Sequence, residues 1–139
     1  MAATGIETVL AAAATAIAGA GHTVRRHFAG AEFTAADCPM VLLRRGPTAT
    51  REGAPLSRLH QEVTFFAHCV VAGASWETTA DALHQSVHAA LVANATLSSA
   101  GIDLRATEAV AAAAADTVGE VVAQYVVTTT VAETTLIAA

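Results

Sequence analysis

The side chains here with most chemistry to offer are six histidines. His84 and His88 stand four apart, a spacing that sets two imidazoles on one helix face within reach of one metal ion. In a zinc-protease helix of that spacing a glutamate follows the first histidine as general base, and Gln85 holds that place here. No third ligand is obvious nearby, so the pair reads as two histidines at a helix surface or margin. No metal or other cofactor is expected. His60 and His68 lie eight residues apart on one strand, too far to share an ion. Nucleophilic catalysis needs a serine or cysteine on a sharp turn with a base in reach. Ser57, Ser75, Ser86, Ser98 and Ser99 lack the G-x-S-x-G elbow. Paired carboxylates fall on no strand face, and Gly19, Gly21 and Gly30 follow neither phosphate-loop spacing. The sequence names no catalytic residue and does not read as an enzyme.

The elements that would carry these residues centre on residues 57–94. From Arg58 to Val71 the chain alternates. Leu59, Val63, Phe65, Ala67, Cys69 and Val71 share one side, with Gln61 the only polar break. His60, Glu62, Thr64 and His68 share the other, with Phe66 and Val70 among them. A period of two over this length predicts a long strand with one buried and one mixed face. Gly73 and Ser75 end it. Trp76, Ala80, Leu83, Val87, Ala90 and Leu91 then recur at three and four, which predicts an amphipathic helix laid back on the buried face. Ser75 is the expected N-cap.

Residues 4–18 read as a first helix with a stripe of Ile6, Val9, Leu10, Ala13 and Ile17, and Thr4 and Glu7 have capping-box spacing. Residues 22–28 read as a short strand, 29–37 as a loop, and 38–45 as a second strand opening on Pro39. Two prolines and two glycines make residues 46–56 a long mobile hairpin loop, with Arg44, Arg45, Arg51 and Arg58 clustered at its base and along it. Residues 94–101 read as a turn region, 102–110 as a strand, 111–115 as ambiguous, 119–133 as the last strand, and the tail from Thr134 as patternless. The expected order is α-β-β-β-α-β-β. It describes a single domain over residues 1–139, a two-layer α+β fold with two helices on one face of a mainly antiparallel five-stranded sheet. The other face, with His60, Glu62, Phe66, His68, Val122 and Val126, is too apolar to be simply wet and is the first candidate for a partner surface.

Composition narrows the function classes. Of 139 residues 54% are hydrophobic and only 14% charged, and the net charge is −5. Few charges on so small a chain hint at surface covered by a partner. The basic residues are all arginine, and against an acidic excess they make no nucleic-acid-binding face. Cys38 and Cys69 sit in apolar strand patterns and read as buried thiols. The first twenty residues lack a basic n-region and carry Glu7, unlike a signal peptide, and no apolar run is long enough for a membrane span. The expectation is a soluble, cytosolic protein.

The order and texture of these segments resemble a known family. The features are an N-terminal helix, a short strand, the Cys38-Pro39-Met40-Val41-Leu42-Leu43 strand, a Gly/Pro loop and the long Arg58-Leu59-His60-Gln61-Glu62-Val63-Thr64-Phe65 strand. After them come the helix from Trp76 to Leu91, the turn at 94–97, and a closing hairpin with Val121-Val122-Ala123-Gln124-Tyr125-Val126-Val127-Thr128-Thr129. Nearly the whole chain is similar to the tail terminator proteins of long-tailed bacteriophages, the minor tail protein U type, and their head–tail completion relatives. It departs at the last hairpin, where relatives carry an acidic tip and this chain has residues 111–115, all alanine, flanked by Glu108, Asp116 and Glu120. The resemblance implies a structural virion protein. It would form a homohexameric ring at the head-proximal end of the tail, halt polymerisation of the tail tube protein and offer a docking surface to a head-completion or neck protein. It would be assembled in the host cytoplasm, with no membrane or sequence-specific nucleic acid as partner, and DNA would pass through the lumen. Arg44, Arg45, Arg51, Arg58 and Phe66 would then face a neighbouring copy, with Glu108, Asp116 or Glu120 as acidic partners. The competing readings are another head–tail connector, or a small-molecule- or metal-binding α+β domain using the His84 and His88 face.

Overall fold

The structure, a computed structural model, describes residues 3–26, 38–51, 57–111 and 118–138. The chain folds as α+β and has, among the described residues, three helices and a five-stranded mixed sheet. The elements are α1 (Gly5–Gly19), β1 (Val24–Arg25), β2 (Met40–Arg51), β3 (Arg58–Ala72), α2 (Trp76–Ala93), α3 (Ala95–Ser99), β4 (Asp103–Ala111) and β5 (Val118–Ala132). Strands lie in the order β1-β2-β3-β5-β4. β1 runs parallel to β2, and the other neighbours are antiparallel.

β3 is the spine of the sheet because alternation lets it bury one face completely. Val63, Phe65, Ala67 and Cys69 are fully buried and meet Ala123, Tyr125 and Val127 of β5 in one core. Onto that face α1 lays Val9, Leu10, Ala13 and Ile17, α2 lays Val87 and Leu91, and α3 adds Leu97. Leu97 is fully buried, as expected of a residue packing back on the core. Phe65 and Tyr125 stack with ring centroids 5.4 Å apart and planes 16° from parallel. Truncating a buried aromatic of this kind costs about 3–5 kcal/mol.

α1 begins where Thr4 Oγ1 accepts the Glu7 N–H at 3.2 Å. Thr4→Ala removes that cap, and a loss of about 1 kcal/mol is expected in urea denaturation. The Glu7 carboxylate takes a two-pronged bond from Arg26, at 2.6 and 2.8 Å, which fastens the segment after β1 to the first turn of α1.

Five expectations are corrected. First, β2 does not stop at Arg45; it continues to Arg51, through Gly46 and Pro47, with a register shift between Arg45 and Thr48. A bulge absorbs the residues that would break a regular ladder. A Cβ on Gly46 would stand 2.8 Å from Phe66 Cε2 and 3.1 Å from the Thr64 carbonyl, so glycine lets the strand press close there. Residues 52–56 of the expected loop lie outside the described residues. Second, the expected turn after α2 contains α3, capped by Asn94 Oδ1 on the Leu97 N–H at 3.1 Å. Third, Ser75 holds the N-cap position of α2 but makes no side-chain capping bond. Fourth, the tail is not loose. Leu136 O accepts from Gly5 N, Leu136 N donates to Ala132 O, and Thr4 and Ile137 form a bridge. Fifth, Cys38 is only half-buried, whereas Cys69 is buried as expected.

The helix-free face divides in two. Towards one end Met40, Leu42, Val70 and Val118 form a second buried cluster. Elsewhere on this face His60, Glu62, Phe66 and Val122 are half-buried and Val126 is 8% exposed. β4 differs from every other strand, since all nine of its residues are exposed.

Candidate functional site

Two groups of side chains stand out, and each joins residues far apart in the sequence.

The first lies on the helix-free face where β2 loses its β1 neighbour. Arg44 pairs across the ladder with Phe66, and Leu42 with His68. The Arg44 guanidinium sits 4.2 Å above the Phe66 ring centroid, a cation–π contact. Its Nε–H donates to His68 Nε2 at 3.3 Å, and His68 Nδ1 reaches Glu120 Oε2 at 3.2 Å. Because Arg44 can only donate, the ring proton belongs on Nδ1, and His68 passes the cation's polarity on to the carboxylate. Beside this relay is a cavity of about 340 Å³, floored by Leu42 and Leu43 and edged by Arg26, Arg44 and Arg45. Arg26 is held above its ordinary pKa by the hydrogen bond to Glu7 and that carboxylate's charge, with burial opposing. Arg45 is exposed and has no ion pair among the described residues.

Of the residues expected at an interface, Arg44, Phe66 and Glu120 are therefore linked within one chain through His68. Arg51 and Arg58 are not part of that group. Once β2 runs on to Arg51, that residue lies six positions beyond Arg45, roughly 20 Å of strand. Arg58 starts β3 opposite Ala132, at the far end of the sheet from Cys69. The four arginines do not form one cluster. Glu108 lies on β4 at the opposite edge, paired with Val122. Asp116 lies outside the described residues.

The second group is the one that sequence reasoning placed at the surface. His84 is 8% exposed, and His88 is half-buried. Both turn onto one buried hydroxyl. His84 Nε2 and His88 Nδ1 each lie 2.9 Å from the Tyr125 hydroxyl. A phenol has one proton to give, so it donates to one ring and accepts from the N–H of the other. Desolvation, and then the nearby His88, lower the His84 pKa, with Asp81 pulling the other way. Burial, and then Cys69, raise the Tyr125 pKa. Burial, and then the Glu120 charge, push the Cys69 thiol up to about 12, so it stays protonated at neutral pH. A signal for this network was present. Ala80, His84, Val87 and Leu91 form a cleaner three-and-four stripe than the one drawn through Leu83, and they are the buried residues of α2. A histidine on that stripe needs a polar partner, and Tyr125 supplies it from the inner face of β5.

Among the described residues no group of three or more His, Cys, Asp and Glu side chains could hold a metal ion, and no helix is long and apolar enough to cross a membrane. Near the sheet's opposite edge is a second depression of about 400 Å³, lined by Glu77, Thr78 and Asp81 of α2 and by Thr107, Glu108 and Ala109 of β4. No protein-family model matches this sequence, and no curated protein aligns with it significantly.

Proposed function

We propose that this chain is a structural, ring-forming protein of a phage tail: a terminator that caps the tail tube, stops its growth and presents a surface to the head. The observation that carries this reading is the side of the sheet opposite the helices. Among the described residues helices pack on one face only, the opposite face carries half-buried Phe66 and Val122, and every residue of β4 is exposed. A long exposed edge strand beside an apolar sheet face is a surface that proteins normally cover or pair. The two-layer arrangement of mainly antiparallel strands and the order of helices and strands suit the same family. A ring built head to tail uses two different surfaces per subunit, and a sheet with two unlike edges has them.

Light scattering on the purified protein is expected to give a closed oligomer, six copies in the family's pattern. Added to polymerising tail tubes, the protein is expected to stop their growth at defined ends in electron micrographs. A chain that stays single at high concentration and leaves tube length unchanged would remove the assignment.

A further inference from the structure

We propose that copies of this chain join edge to edge, the arginine-edged cavity on β2 receiving the β4 edge of a second copy. This rests on the ring reading and gives it a specific contact. The argument begins with backbone. Among the described residues of a sheet ordered β1-β2-β3-β5-β4, β2 has a β1 partner only at Val41 and Leu42. Among the described residues nothing pairs with the same side of β2 from Leu43 onward. At the other edge, among the described residues, β4 pairs only with β5, which leaves its outer N–H and C=O groups without a strand partner there. Each chain thus has two strand edges able to extend a sheet, and one edge added to the other satisfies both.

Charge selects which edge meets which. The β2 edge carries Arg44 and Arg45, the latter with no ion pair among the described residues, around an apolar-floored cavity. Its chemistry fits an extended segment with a carboxylate on it. Such a segment is present in the same chain, roughly 14 Å away across three inter-strand spacings. β4 carries Glu108, with Glu77 and Asp81 of α2 alongside. Of the carboxylates near these arginines within the chain, Glu120 is already engaged by His68 and Glu7 by Arg26, and neither is the partner that a neighbour supplies. Like edges would set carboxylate against carboxylate or guanidinium against guanidinium, so the contact is head to tail, and opposite charges also steer the approach. A contact of this kind closes into a ring or runs on as a filament according to the rotation between copies.

The test is charge exchange. Arg45→Glu and Glu108→Arg both fall at exposed positions, so both variants are expected to keep the wild-type circular dichroism spectrum and melting temperature. Alone, each is expected to run at single-copy mass in sedimentation where the wild type assembles. Mixed in equal amounts, or combined in one chain, they are expected to recover the wild-type mass, because every junction again joins opposite signs. Arg45→Ala and Glu108→Gln supply milder versions should a reversal disturb folding. Single reversals that assemble like the wild type, or a mixture and a double variant that stay dispersed, would overturn the edge contact and leave the ring reading standing. A wild type that is itself single-copy overturns both.

Discussion

Gly119→Ala is expected to destabilise the fold by about 2 kcal/mol, in the range of overpacking a filled core. Gly119 is buried on β5, opposite Val71 of β3, and the six-membered ring of Trp76 lies directly over it. A Cβ there would fall inside the van der Waals envelope of three Trp76 ring atoms, and an aromatic ring packed near Val71, Ala80 and Val121 has little room to retreat. Trp76 opens α2, so pushing the ring away shifts the helix start that sets His84 above Tyr125. The urea midpoint is expected to fall with an unchanged slope. Trp76→Leu should recover part of the loss when combined with Gly119→Ala, since the two residues contend for one volume and their effects cannot add independently. Equal losses from Gly119→Ala in the presence and absence of Trp76 would show that the ring is not what the methyl group meets.

Tyr125→Phe is the second large effect, with an expected loss of about 1–3 kcal/mol. The phenylalanine ring keeps the stack on Phe65, so the change isolates the hydroxyl. Without it the buried His84 Nε2 and the half-buried His88 Nδ1 each lose the hydroxyl they share as hydrogen-bond partner. The network also predicts a pH dependence. The His84 pKa is lowered in the folded state from its ordinary 6.5. The unfolded chain therefore takes up a proton before the folded chain does, and the unfolded state binds more protons in that interval. Stability then rises with pH. The contribution of neutral His84 is complete above the unfolded value and is lost as pH falls through about 6.5 towards the lowered one. Urea midpoints between pH 7.5 and pH 5 are expected to fall for the wild type and to fall less steeply for His84→Gln. A midpoint rising towards acid would show that the imidazole is charged in the fold.

Much of the architecture could be read before folding, for a physical reason. Alternation over 58–71 and three-and-four spacing in α1 are local consequences of backbone period, and both elements form at or near the expected bounds. The α+β class follows from those periods. The length of β2 was not readable, because Gly46 and Pro47 look like a break until the bulge and the close approach to Phe66 are known. With β2 extended, an apparent cluster of four arginines separates into Arg44 and Arg45 at the cavity and Arg51 and Arg58 farther along the sheet.

The candidate sites divide in the same way. Sequence by itself determined which motifs are missing: Gln85 stands where a zinc-protease base belongs, the serines lack an elbow, and the glycines lack phosphate-loop spacing. It also determined that β3 has two unlike faces, because side chains alternate whatever the rest of the chain does. Only tertiary structure decided that His84 and His88 converge on Tyr125, 41 and 37 residues away respectively, and that Glu120 is engaged by His68 rather than left for a neighbour. Those partners sit on different elements, and which elements become neighbours depends on strand order, a property of the whole packed chain.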